Sequence, residues 1–329
     1  MTQEFGRLLT AMVTPFDEDG GLDLDVAREL ARWLEGQGND GLVVAGTTGE
    51  GAVLSDEEKL SLWAAVAEAV SIPVIAGAGS NDTPHSVHLT AEASNLGVAG
   101  ILAVCPYYNR PSQAGMDAHF RAIADATALP VMLYDIPIRT GRKIATATLL
   151  RLADEVPNVV ALKDAAGNPA ETAAVVARAV PGFEVYSGDD SMTLPLLAVG
   201  AVGVVGVATH WSAPDHVELF DQWDKGDVAA ARLVNARLLE SFGYETGDDA
   251  PNPLPTKALL RTLGLRVGEA RLPMGPAPAG LEARAREVLA SLERSRAESG
   301  AQAGRPHRAE RATRADQAAR AERADRHES

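Results

Sequence analysis

Cysteine is nearly missing from this chain: a single residue, Cys105, in 329. One thiol excludes a disulfide framework and a cysteine-built zinc site, and it fits a reducing compartment, so a cytoplasmic location is expected. Positive charge is scarce too. Thirty Lys and Arg stand against 45 Asp and Glu, a net charge of −15, which argues against a bulk surface that binds nucleic acid. No apolar run reaches about 18 residues, so no transmembrane helix and no membrane partner are expected. The opening MTQEFGRLLTAMVTP has no basic segment followed by an apolar one, so no signal peptide is expected. A dinucleotide-binding turn is lacking as well. The Gly-x-Gly at a strand end, Gly77 and Gly79, has Asp82 where a third glycine belongs.

What is present divides unevenly. Residues 294–329 hold 9 Arg and 6 Asp or Glu but no Leu, Ile, Val or aromatic residue. Such a stretch cannot bury an apolar face, and it reads as a solvated, disordered tail whose Arg and Glu could pair along a transient helix. Its net charge of +3 leaves −18 on residues 1–293. Within 1–211, eight short runs of Val, Ile, Leu and Ala alternate with amphipathic stretches: 8–15, 41–46, 72–78, 100–106, 129–137, 158–165, 183–189 and 203–208. Runs without polar alternation are the mark of strands covered on both faces, as in parallel sheets. Ser55 with Glu58, Thr83 with Pro84 and Asn168 with Pro169 mark helix starts between them. An open doubly wound sheet is the rival, but the count of eight favours a closed α/β barrel, the (β/α)8 TIM barrel. Residues 212–293 read as a C-terminal appendage of four helices.

In such a barrel, chemistry sits at the C-terminal ends of the strands. Lys163 is the most informative residue there. The chain has 5 Lys against 25 Arg, and this one interrupts the apolar run VVALK. A buried lysine is costly unless it is paired or its pKa is lowered, and a lowered pKa is what an imine-forming nucleophile needs. A structural lysine paired with Asp164 is the other reading. The remaining four lysines read as solvated surface. Tyr108 and Tyr134 at strand ends, with the hydroxyl of Thr47, could relay protons near such an amine. Arg139, and the Thr47-Thr48-Gly49 hydroxyls and amides, suit small carboxylates. Cys105 reads as a packed, inert thiol, Asp189-Asp190 as a helix cap, and His85 and His88 as residues without a third metal ligand.

Gly46-Thr47-Thr48-Gly49-Glu50, Pro106 through Pro111, Tyr134 through Gly141, Lys163-Asp164-Ala165 and Pro251-Asn252-Pro253 together resemble the dihydrodipicolinate synthase family of pyruvate-dependent class I aldolases. The resemblance runs from about residue 5 to 293. It implies condensation of pyruvate, held as a Schiff base on Lys163, with L-aspartate 4-semialdehyde, giving (4S)-4-hydroxy-2,3,4,5-tetrahydrodipicolinate on the way to diaminopimelate and lysine. Tyr134, Thr47 and Tyr108 match the family's proton relay, with the residue matching Tyr108 entering from a neighbouring subunit. Thr48 matches the pyruvate-carboxylate site, Arg139 the residue for the aldehyde's carboxylate, and Gly188 and Val205 the pocket lining. Neither cofactor nor metal is implied, and a homotetramer built from tight dimers is. Departures are Asp135 for an Asn, Ile138 where a small residue precedes the arginine, and Asp56, Lys59 and His85 where lysine-inhibited members carry other residues. Ile138 is expected to displace Arg139, and L-lysine to inhibit weakly or not at all. A sister aldolase cleaving 4-hydroxy-2-oxoglutarate, N-acetylneuraminate or a 2-oxo-3-deoxy sugar acid is the alternative.

Overall fold

Each of the eight apolar runs becomes a strand: β1 Leu8–Ala11, β2 Gly41–Val44, β3 Val74–Ala76, β4 Gly100–Val104, β5 Val131–Asp135, β6 Val159–Asp164, β7 Glu184–Ser187 and β8 Gly203–Gly206. The computed structural model describes residues 4–303, with side chains through residue 298. The strands pair in parallel in chain order, and β8 closes on β1, with Leu9 opposite Val205. The expected barrel is the observed one.

Strand periodicity sorts the side chains into two cores. One fills the barrel, with Leu9, Val43, Ile75, Met132, Ala161 and Val205 among its members. The other packs strands against the surrounding helices and includes Leu42, Val44, Leu133, Leu162 and Trp63. The expected helix starts are present. Ser55 and Glu58 form a reciprocal capping box before Asp56–Ala69. Asn168 caps Pro169–Arg178, while Asp82 rather than Thr83 caps Thr83–Ala93.

Among the described residues four helices follow β8: Thr209–Asp224, Val228–Tyr244, Leu254–Thr262 and Leu281–Ala303. The described residues up to 288 form one compact unit that includes the barrel and most of these helices; those from 289 to 303 belong to another. Helix Leu281–Ala303 continues past residue 293, where the sequence reading begins the tail. Its first half buries Ala285, Val288 and Leu292, and beyond residue 293 alanines and closely spaced Arg and Glu favour helix. The rest of the expected tail, 304–329, lies outside the described residues. Among the described residues no helix is long and apolar enough to cross a membrane.

Candidate active site

β5 and β6 bring the central pair together. Tyr134 and Lys163 are register partners on neighbouring strands. Lys163 follows Ala161 by two, so it shares that residue's barrel-facing side, as Tyr134 shares the side of Met132. The Lys163 Nζ lies 4.4 Å from the centroid of the Tyr134 ring. The side chain is 4% exposed, and among the described residues no carboxylate comes within ion-pair distance of its Nζ. Asp164 is not its partner. The Asp164 carboxylate accepts from Thr172 Oγ1 at 2.6 Å and from the Ala166 N–H at 2.9 Å. Burial, with the Arg139 charge adding to it, pulls Lys163 down to about 8, while Asp190 and Glu245 push the other way. Gly188 meets the lysine stem closely: a Cβ there would lie 3.0 Å from Lys163 Cγ and 2.9 Å from Ala165 Cβ. Val205 is fully buried in the barrel core.

Burial likewise pushes Tyr134 up to about 12, against a hydrogen bond with Thr47 that lowers it. Thr47 belongs to the loop after β2, which reverses sharply. Ala45 and Glu50 take positive φ values of 57° and 55°, strained for residues with a side chain. Glycine is required at position 51, where a Cβ would lie 2.1 Å from the Ala45 carbonyl. The Thr48 hydroxyl is buried and accepts from Asn252 Nδ2 at 2.9 Å. Glu50 forms a buried ion pair with Lys257 at 2.7 Å and accepts from the Arg271 N–H at 2.9 Å. The Lys257 ammonium and the Arg271 guanidinium each lie 4.1 Å from the Phe16 ring centroid. Residues 200 positions downstream thus hold the loop.

A cavity of about 460 Å³ runs from Thr47, Tyr134 and Arg139 to Asp56, Lys59 and His85. Arg139 sits on the short helix Pro137–Thr140 and lines this cavity. The Ile138 side chain, expected to displace Arg139, is 89% exposed, and Arg139 still lines the cavity. Asp135, buried next to Tyr134, takes its own partner: Lys143 Nζ lies 3.2 Å from it, and the Ile144 N–H donates to it at 3.2 Å. Burial still pushes its carboxyl up. Tyr108 does not join Lys163. It is 90% exposed on a loop with φ of 72°.

Two sequence expectations about lysines and caps need correction. Lys59, on helix Asp56–Ala69, and Lys257 are buried, not solvated surface; the helix of Lys257, Leu254–Thr262, is enclosed along most of its length, and Glu50 supplies Lys257 with a counter-charge. Asp189 does cap the turn Asp190–Met192, but Asp190 is itself buried, and the Val207 N–H donates to it at 2.7 Å. Asn252 was visible in the Pro-Asn-Pro motif, although nothing local ties it to Thr48. No local signal marks Glu245. Cys105 is buried and its thiol is pushed up to about 12, which makes it inert.

Residues 4–291 match the model of the Dihydrodipicolinate synthetase family. A 4-hydroxy-tetrahydrodipicolinate synthase from Moorella thermoacetica is 49% identical over 273 residues, 82% of this chain and 92% of that protein. One from Bacillus subtilis is 46% identical over 278 residues, 83% of this chain and 94% of the other. The crystal structure of the enzyme from Cyanidioschyzon merolae with lysine bound superposes with a TM-score of 0.86 at 43% identity, covering 89% of this chain and 99% of that one. Fold, motif order and these likenesses agree, and the chain belongs to the dihydrodipicolinate synthetase family.

Proposed function

We propose that the Lys163 amine attacks the ketone carbon of pyruvate and, with loss of water, forms an imine. The activity is that of a 4-hydroxy-tetrahydrodipicolinate synthase, a lyase, and the relatives' names favour it over the sister aldolases. The imine nitrogen, protonated, draws electrons from the neighbouring methyl group. Loss of a methyl proton gives an enamine, whose carbon attacks the aldehyde carbon of L-aspartate 4-semialdehyde. The substrate's amino group then displaces Lys163, closing the ring and freeing the enzyme. The protonated imine is the electron sink, so the scheme calls for no cofactor and no metal.

Protein groups divide the remaining work. Tyr134, joined to Thr47, passes protons at the carbinolamine and at the aldehyde oxygen. Thr48, oriented by Asn252, takes the pyruvate carboxylate, and Arg139 takes that of the aldehyde. Gly188 and Val205 leave room for pyruvate. Tyr108, pointing out of its own subunit, completes the relay of a second copy, within a homotetramer of tight dimers working in the cytoplasm. The observation that carries this reading is the buried, unpaired amine of Lys163 beside Tyr134. Borohydride reduction with pyruvate should add a pyruvate-derived mass to the peptide containing Lys163 and none to the Lys163→Ala variant. Labelling that survives in that variant refutes the assignment.

A further inference from the structure

Two buried acids near Lys163 have no place in that scheme. Asp190 opens the turn after β7, and Glu245 follows helix Val228–Tyr244. Both converge on the end of β8. The Val207 N–H donates to Asp190 Oδ2 at 2.7 Å, and the Ala208 N–H donates to Glu245 Oε2 at 3.1 Å. Gly206 makes room for them, since a Cβ there would lie 2.5 Å from Asp190 Oδ1 and 2.6 Å from Thr209 Cγ2. The two buried carboxyl groups thus sit against adjacent backbone amides. Two like charges placed this closely out of water are costly, so a proton held between them is favoured.

The surroundings say which acid keeps it. Burial raises both. The Asp190 charge raises Glu245 further and Asp189 adds to this, leaving Glu245 well above the carboxylate range. Asp190 has help that favours its anion: the His216 ring, with Nε2 at 3.8 Å, and the Val207 N–H. The groups acting through space on Lys163 from the packed elements are Asp190, Arg139 and Glu245. We propose that Asp190 and Glu245 share one proton and so present a single negative charge to Lys163, a positioning pair that supports the cationic imine without an ion pair to the free amine. The inference rests on Lys163 as the imine-forming residue. Two charges would keep the amine protonated and unable to attack. No charge would leave the buried iminium unsupported, with the Arg139 charge still acting against it.

The test is the acid limb of kcat/KM for pyruvate, with borohydride trapping as a check on the lysine. Asp190→Asn combined with Glu245→Gln removes the anion whichever acid carries it, so the limb moves to lower pH by about one unit, roughly tenfold more neutral amine at a given acid pH, and the trapped imine fraction falls. Glu245→Gln keeps a neutral donor towards Asp190, so the limb stays in place. A limb unmoved in the double variant overturns the inference, and a limb that moves in Glu245→Gln alone overturns the shared proton. If either variant does not fold by circular dichroism, infrared spectroscopy of the wild-type chain decides. The carbonyl stretch of a protonated carboxyl must persist through neutral pH, and its absence overturns the inference. Failure of the wild type to be trapped by pyruvate would instead sink the Lys163 assignment, and the infrared arm would still report on the pair.

Discussion

Replacing Lys163 with Met should abolish activity and make the protein more stable. Burial pulls the ammonium from 10.5 to about 8, and at roughly 1.4 kcal/mol per unit that is about 3 kcal/mol against the folded state near neutral pH. The folded pKa is the depressed one, so between about pH 8 and 10.5 the unfolded chain holds more protons and stability rises with pH. Below about pH 8 the full cost applies. Met has a similar length and no charge, so little cavity or strain opposes the gain. The variant should therefore exceed the wild type by about 3 kcal/mol near pH 7, and by about 1 kcal/mol near pH 9.5. For a chain this long the larger figure corresponds to a melting shift of about 5 °C. Unfolding by urea, or by heat at matched scan rates, at both pH values supplies the comparison. A variant no more stable near pH 7, or an advantage that does not shrink as pH rises, would show that Lys163 is not held as a buried, destabilised cation.

Lys257→Met strands the buried Glu50 carboxylate and should cost about 3–5 kcal/mol in urea titration, with a raised KM for pyruvate because the Thr47–Thr48 loop loses its anchor. An unchanged midpoint would place the loop's support elsewhere. L-lysine should inhibit weakly, because the far end of the cavity already pairs Asp56 with His85 at 2.8 Å and buries the cationic Lys59 nearby. Half-maximal inhibition below about 1 mM, roughly −4 kcal/mol of binding, contradicts this.

The barrel was legible because all eight strands are apolar runs, a pattern that survives without knowledge of the neighbours. Lys163 was legible for the same reason, as a charge placed where the pattern demands none. Lys257 and Lys59 were not. On a helix, a lysine among leucines reads as the solvated face, and only the fold brings Glu50 to Lys257 across 207 positions. Asp190 illustrates the same limit. Its neighbour Asp189 behaves as the local pattern suggests, whereas Asp190 turns towards Val207 and Glu245, which the sequence keeps apart. The direction of Ile138 was not legible either: its side chain stands on the outside of the short helix, 89% exposed.

The dependence of the Thr47–Thr48 loop on Asn252, Lys257 and Arg271 also bears on synthesis. A ribosome releases Lys163 and every barrel strand well before it releases these three residues. A nascent barrel therefore carries the Lys163 amine for a time with the Thr47–Thr48 loop unsecured and Glu50 without a partner. The anchors arrive with the last quarter of the described chain, so premature termination after β8 would leave a barrel that has Lys163 but not a secured Thr47–Thr48 loop.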